Sequence, residues 1–246
     1  MDKLIYTAMS GASQTLGQQA AVAHNLANAT STGFRTEMHR LRAVAVQSEA
    51  LPTRAFTVDA SVATDFTPGP LRQTGRNYDL AVQGKGWLVV QLPNGSEAYT
   101  RNGSLEVSPN GLLQTRSGLP VAGDGGPIAI PPDDEIVIGK DGTVSALPTT
   151  GTRSVVNVVA RLKLVNPPEA DLVRGEDGLF RLKAGGIAPA DEAVQVAGGY
   201  LEGSNVNVVD QMVTMISLSR QFEMQTKMLQ TAQTNDEAAT RILTMS

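Results

Sequence analysis

The sequence predicts an α+β fold. We expect a mainly β central body of short antiparallel strands, arranged as a sandwich or partly open barrel, with N- and C-terminal α-helices packing together as a coiled coil. The distribution of helix-breaking residues carries this prediction, because all 13 prolines lie between residues 52 and 189 and 21 of the 24 glycines lie between residues 69 and 203. Seven of the eight methionines fall in the first ten or the last 35 residues.

These shifts in composition predict four segments. Residues 1–36 form an N-terminal helix and a motif, and we expect the helix to pair with the C-terminal one. Residues 37–73 form an extended connector, residues 74–200 a β-rich body, and residues 201–246 the C-terminal helix.

The first segment has the repeat of an amphipathic helix. Apolar residues recur at alternating steps of four and three, which is the spacing of a heptad seam. The predicted seam consists of Ile5, Met9, Ala12, Leu16, Gln19, Ala23 and Leu26. Asp2 is a suitable N-cap and Gly33 lies beyond the end of the helix.

The connector is predicted from its turn-forming and extended composition, which includes the runs LPTRAF and TPGPL. The body is predicted from turn chemistry. Asn-Gly pairs favour tight hairpins, and they recur every eight residues at Asn94-Gly95, Asn102-Gly103 and Asn110-Gly111. Short runs of strand-forming residues between such turns indicate a sandwich or barrel and not alternating strands and helices.

The C-terminal segment repeats the heptad spacing. Its predicted seam consists of Met212, Met215, Ser219, Phe222, Thr226 and Leu229. Isolated helices of this length are marginal in water, so each seam needs a partner. The other end of the same chain and the ends of neighbouring subunits both remain open, as does the packing of two amphipathic helices on one globular core.

Composition excludes several classes of function. The chain lacks cysteine, which excludes thiolate chemistry and disulfides, and it has only two histidines. The net charge of −4 and the scattered basic residues give no footprint for nucleic acid. No apolar run approaches the roughly 20 residues of a membrane span, and the N-terminus is too polar for a cleaved signal peptide.

No arrangement of residues predicts catalysis. The acidic cluster around Asp133 and Glu135 follows two prolines and is interpreted as a solvated turn; a hydrolase that uses this pair is the less favoured alternative. His24 and His39 have no neighbouring ligands in sequence. We therefore expect no enzymatic activity, no cofactor and no metal site.

Both ends of the chain resemble the flagellar rod and hook proteins of bacteria. The N-terminal signature is HNLANATSTGFR at residues 24–35, and the C-terminal signature is LEGSNVN at residues 201–207. The runs at residues 74–90 and 99–115 are similar to the core that the hook protein shares with the two largest rod proteins. Within this family the two ends look like the proximal-rod branch, with one departure at His24, where Asn or Ser is expected.

The resemblance implies a structural subunit that assembles with copies of itself and other rod subunits into a helical tube. It implies that the terminal helices form the inner wall, and that the chain reaches the basal body through the flagellar type III export apparatus. A distal-rod paralogue and a periplasmic β-rich binding protein remain alternatives. The expected assembly residues are Ile5, Met9, Leu16, Asn25, Leu26, Asn28, Gly33, Phe34, Leu201, Glu202, Ser204, Asn205, Val206, Met212, Met215, Phe222, Glu223 and Leu229.

Overall fold

The computed structural model describes residues 2–45, 55–131, 134–148 and 157–244. The chain divides into two compact units. The first, here called the helical unit, contains residues 1–29, 36–65 and 206–246, and the second, here called the body, contains residues 30–35 and 66–205. The expected α+β class is confirmed, and so is the packing of the two terminal helices on each other.

The helical unit consists of two helices and a hairpin. Helix α1 is Asp2–Ala27 and helix α2 is Val208–Thr244. Strand β1 (Glu37–Ala45) pairs antiparallel with β2 (Ala55–Thr64), with a bulge between Arg40 and Leu41. The hairpin packs on α1.

The segment predicted as an extended connector therefore contains a paired hairpin. The backbone is extended as expected, but pairing satisfies the N–H and C=O groups that a lone extended chain would leave to water. Two runs rich in strand formers, EMHRLRAVA and AFTVDASVAT, flank the predicted turn-forming centre. That centre, residues 46–54, lies outside the described residues, as does Asp133.

The body contains sixteen short strands and one turn of 3₁₀ helix within the described residues. The strands are β3 (Leu71–Gln73), β4 (Leu80–Gln83), β5 (Trp87–Gln91), β6 (Glu97–Thr100), β7 (Leu105–Val107), β8 (Leu113–Thr115), β9 (Ala122–Gly123), β10 (Gly126–Pro127), β11 (Asp134–Ile138), β12 (Thr143–Pro148), β13 (Asn157–Arg161), β14 (Leu164–Val165), β15 (Leu172–Arg174), β16 (Phe180–Leu182), β17 (Gln195–Gly198) and β18 (Tyr200–Glu202). The 3₁₀ turn is Glu169–Asp171.

The pairing in the body is antiparallel throughout the described strands. The largest sheet has the order β14-β5-β6-β16-β15, and β11-β12-β13 form a second. Four two-stranded pieces complete the set: β7-β8, β9-β10, β17-β4 and β18-β3. The last two are long-range pairings, in which the final two strands of the body pair with its first two. A sandwich or barrel remains a prediction.

Two of the three Asn-Gly pairs form the expected hairpin turns. Gly95 and Gly111 have positive φ angles of 81° and 78° and connect β5 to β6 and β7 to β8. The hairpin expected at Asn102-Gly103 is wrong, because Gly103 serves close packing instead. Its carbonyl accepts from the Leu80 amide, and a Cβ at this position would lie 1.8 Å from the Leu80 carbonyl oxygen.

The body has two hydrophobic clusters. The larger includes Leu80, Leu88, Leu105, Leu113 and Ile136, all essentially inaccessible to solvent. The smaller collects most of the aromatic side chains of the body. In it Phe66, Trp87 and Phe180 contact one another, with a Trp87–Phe180 centroid distance of 4.6 Å. Burial of the single tryptophan in this cluster leaves it unavailable to line a ligand cleft.

Candidate functional site: the terminal helices and signatures

The helix-helix seam has the predicted period but a different face. On α1 the buried positions include Ala8, Ala12, Thr15 and Val22, each a small or β-branched residue. The predicted seam residues Met9 and Leu16 are 54% and 50% exposed. Every second position of the predicted seam is therefore displaced by one residue from the buried position. The small side chains face α2, and large apolar ones such as Met9 and Leu16 face outward.

The same shift occurs on α2. Leu218 and Ala232 are buried, and the half-buried residues Gln211, Met215, Phe222, Gln225 and Leu229 complete a repeat with steps of four and three. The predicted seam shares Met215, Phe222 and Leu229 with this repeat. The predicted seam residue Met212 is exposed.

Polar pairs within the seam show that the two helices run antiparallel. Oγ1 of Thr15 lies 3.1 Å from Oε1 of Gln225, and Nδ2 of Asn25 lies 3.4 Å from Oε1 of Gln211. Gly11 admits the Gln225 side chain, because a Cβ there would lie 3.0 Å from its Nε2. Polar seam residues that must meet a polar partner favour one register over its alternatives.

Asn25 attaches the hairpin to α1. Its side-chain amide donates to the Glu37 carbonyl at 2.8 Å and accepts from the Glu37 amide at 2.9 Å, so it pairs with β1 as a neighbouring strand would. The side chain is almost fully buried. His24, where the signature departs from expectation, contacts Glu37 at 3.2 Å, and Asn28 donates to the His24 carbonyl at the end of α1.

The N-terminal signature continues into the body with a turn that requires glycine. Gly33 has a φ of 69°, and a Cβ there would lie 2.4 Å from the carbonyl carbon of Arg101. Phe34 is buried, and the Arg174 guanidinium lies 4.5 Å from the centre of its ring. Arg174 also donates to the Arg35 carbonyl at 3.1 Å. The turn therefore sets Arg35 into the body.

Glu202, in the C-terminal signature, is the hub of a buried ionic cluster. The side chain is 0% exposed. Its Oε1 accepts from Arg35 at 2.6 Å and from the Gly69 amide at 2.9 Å, and its Oε2 accepts from Arg101 at 2.9 Å. Its backbone carbonyl accepts from the Gly33 amide at 2.8 Å. Four separate segments of the chain meet at this residue.

The cluster contains two guanidinium groups for one carboxylate. Arg101 also donates to the Val82 and Gly84 carbonyls and lies 5.3 Å from the centre of the Trp87 ring. Burial is the largest influence on Arg101 and lowers its pKa, while Glu202 acts in the opposite direction. Nε and Nη1 of Arg35 and Nε of Arg101 are buried without a hydrogen-bond partner among the described residues.

The rest of the C-terminal signature is not helical, which corrects the expected start of the C-terminal helix at residue 201. Leu201 and Glu202 belong to β18, and α2 begins at Val208. The side chain of Asn207 accepts from the Val209 amide at 3.1 Å and caps the helix. This cap favours a helix start at Val208.

The expected assembly residues thus occupy three kinds of position. Those on the exposed surface of the helices are Met9, Leu16, Met212 and Glu223; those at or beside the helix seam are Ile5, Asn25, Leu26, Met215, Phe222 and Leu229; those in the turns and strands of the signatures are Asn28, Gly33, Phe34, Leu201, Glu202, Ser204, Asn205 and Val206. Asn205 donates to the Thr67 carbonyl and Ser204 is buried.

Sequence reasoning missed Arg35 and Arg101. The available signal was a single Arg in the N-terminal signature, at residue 35, and a single Glu in the C-terminal signature, at residue 202, each in a segment with no other Asp, Glu, Lys or Arg. No pattern in the sequence marks Arg101 as the third member.

Other candidate sites are weaker. Within the described ranges, no group of three or more His, Asp or Glu side chains is placed to hold a metal ion. Glu135 accepts from the Asn77 side chain. A cavity of about 450 Å³ in the body is lined by residues that include Asn77, Lys140 and Tyr200. None of the helices, over the residues described, is long and apolar enough to span a membrane.

Three models of protein families match the chain. The model described as "Flagella basal body rod protein" matches residues 5–35, "Flagellar hook protein FlgE/F/G D1 domain" matches residues 81–146, and "Flagellar basal body rod FlgEFG protein C-terminal" matches residues 197–242. The first and third contain the two signatures, and the second contains Arg101.

Individual relatives extend the match to the whole chain. The flagellar basal-body rod protein FlgF of Escherichia coli (strain K12) is 48% identical over 252 residues, covering 100% of each chain. FlgF of Salmonella typhimurium is 47% identical with the same coverage. The flagellar basal-body rod protein FlgG of Buchnera aphidicola is 30% identical over 86% of this chain and 88% of its own.

Proposed function

This chain belongs to the family of flagellar basal-body rod proteins, as a structural subunit of the rod, and we propose that it joins its neighbours through the exposed apolar faces of its terminal helices. The FlgF-named relatives match at higher identity and coverage than the FlgG-named one does. The proximal position is therefore favoured over the distal one.

The observation that carries the assembly proposal is the outward face of α1. Tyr6, Met9 and Leu16 are spaced along one side of the helix and are each at least half exposed. The side that faces α2 uses alanine, threonine and valine instead. Because burial of large apolar side chains is favourable by roughly 1.5–3 kcal/mol each, a lone subunit leaves substantial stabilisation unused.

Helix α2 carries a second apolar patch near its start. Val209, Met212, Val213 and Ile216 are all exposed and lie within its first three turns. In the antiparallel pair the start of α2 lies beside the end of α1, so this patch and the α1 patch occupy opposite ends of the helix pair. Head-to-tail contacts between unlike patches generate an open helical assembly when the rotation between subunits does not close into a ring.

The family supports a proposal for the location and the delivery of the subunit. We place the chain in the basal-body rod and assign its delivery to the flagellar type III export apparatus, with other rod subunits and its own copies as partners. We assign it no enzymatic activity, because its relatives are named as rod proteins. We assign it no nucleic-acid partner.

The proposal is tested by placing a charge on the exposed helix face. Val213 is 62% exposed on α2, and Val158 is 68% exposed on β13 of the body, so the two valines are matched in type and exposure. Each is changed to aspartate in the chromosomal gene of the source bacterium, and the amount of the chain in purified basal bodies is measured by immunoblot.

We expect Val213→Asp to lose incorporation and Val158→Asp to retain it. Circular dichroism and Trp87 fluorescence of both purified variants verify that the helices and the body are still folded. Incorporation of Val213→Asp at the wild-type level would contradict the assembly role of the α2 patch.

A further inference from the structure

We infer that Glu202 stabilises the whole body and not only its own surroundings: the body is stable only once both terminal signatures have packed into it, because Arg35 and Arg101 have no other anionic partner among the described residues. This role of Glu202 belongs to the folding of the chain and does not depend on assembly through the helices.

The first support is the connectivity of the cluster. Arg35 comes from the N-terminal signature, Gly69 follows the hairpin, Arg101 follows β6, and Glu202 lies near the end of the body. These donors are separated from Glu202 by 101 to 167 positions in sequence. Their convergence on one carboxylate requires almost the complete body to be in place.

The second support is the sheet topology. Strands β17 and β18 are the only described partners of β4 and β3, respectively. Residues 195–202 therefore supply both the last two strands and the anion. Until this segment has packed, β3 and β4 expose their pairing edges, and no other carboxylate of the described residues pairs with Arg35 or Arg101.

The third support is the charge balance. The cluster holds two positive groups and one negative group, and three of its guanidinium nitrogens already lack a partner among the described residues. Removing one partner of a buried ion pair is more destabilising than the net contribution of the pair, because the remaining charge stays buried and uncompensated. Here the loss of one carboxylate leaves two buried guanidinium groups without their anionic partner.

The experiment compares urea unfolding of the full-length protein with that of Glu202→Gln and Glu192→Gln. Glutamine keeps the shape of the side chain and removes its charge. Glu192 is the matched control, since its side chain is 86% exposed. Fluorescence of Trp87, the only tryptophan, reports on the body, and amide hydrogen exchange reports on single residues.

We expect Glu202→Gln to increase the unfolding equilibrium constant of the body about 100-fold or more, and Glu192→Gln to change it less than about twofold. In Glu202→Gln the amides of β5 and β6, far from Glu202 in sequence, should exchange faster by the same factor as the amide of Gly69. Faster exchange confined to Gly33 and Gly69 would overturn the inference, because it would make Glu202 a local tie only.

A double variant tests whether the uncompensated positive charge causes the instability, and it also serves if Glu202→Gln fails to fold. Arg35→Met combined with Glu202→Gln removes one of the two uncompensated positive charges and replaces it with an apolar side chain of similar length. We expect this double variant to be more stable than Glu202→Gln alone. Equal or lower stability of the double variant would refute the charge argument.

Discussion

Replacement of Gly33 by alanine should destabilise the body through two separable effects. Gly33 has a φ of 69°, and an L-residue in this left-handed region costs about 1–2 kcal/mol relative to glycine. In addition, a Cβ would lie 2.4 Å from the carbonyl carbon and 2.6 Å from the next amide nitrogen at Arg101-Asn102. Both atoms belong to the backbone, so neither can rotate away.

Two other glycines of the body separate these effects. Gly118 has a φ of 82° with nothing within 4 Å of its Cβ position, so alanine there bears the backbone cost alone. Gly69 lies outside the left-handed region, but a Cβ would lie 2.1 Å from the Gly203 carbonyl oxygen, so alanine there bears the steric cost alone.

The free energy of unfolding of each variant is measured by urea titration with Trp87 fluorescence. We expect losses of about 1–2 kcal/mol for Gly118→Ala, about 1–3 kcal/mol for Gly69→Ala, and about 2–5 kcal/mol for Gly33→Ala. A loss for Gly33→Ala no larger than that for Gly118→Ala would refute the close packing of the signature turn on Arg101.

Three further outcomes are expected. Leu113→Ala should leave a cavity in the larger core cluster and lower the free energy of unfolding by about 2–5 kcal/mol in urea titrations; a loss below about 1 kcal/mol would contradict its full burial. Asn25→Ala should remove the hydrogen-bond partners of the N–H and C=O groups of Glu37 and lower the free energy of unfolding by about 1–3 kcal/mol. Thermal unfolding followed by circular dichroism measures this loss, and an unchanged melting temperature would contradict the pairing. The side-chain hydrogen bond from Arg181 is the largest influence on Asp177 and lowers its pKa, so Asp177→Asn should be less stable than the parent by under about 1 kcal/mol at pH 7. This difference should vanish as the pH falls below about 4, through the folded-state pKa, and a difference that grew in acid would refute the assignment.

The period of the terminal helices was predictable, but the face that each presents to the other was not. A heptad repeat fits a row of large residues and an adjacent row of small residues on the same helix equally well, so the repeat alone does not identify which row packs against the partner helix. The predicted face followed Met9 and Leu16, the bulkiest apolar residues, whereas the chain pairs its helices through Ala8, Ala12 and Thr15. The terminal helices therefore carry more large apolar residues than their own pairing buries.

The features of the body that sequence reasoning missed depend on long-range contacts. Turn chemistry identifies local hairpins such as the one at Gly95, but Gly103 has the same Asn-Gly signal and serves a contact with β4 instead. Pairing of β17 and β18 with β4 and β3 joins segments more than 100 residues apart, and no local pattern encodes it. The Arg35–Glu202–Arg101 cluster exists only after that pairing.

The central claim, that this chain is a rod subunit assembled through its terminal helices, is tested most directly by deleting its gene in the source bacterium. Electron microscopy of the basal bodies is then compared with that of strains complemented by the full-length chain or by chains lacking residues 2–27 or 208–244. We expect rod and hook to be lost in the deletion strain and to be restored only by the full-length chain. Normal flagella in the deletion strain would contradict it.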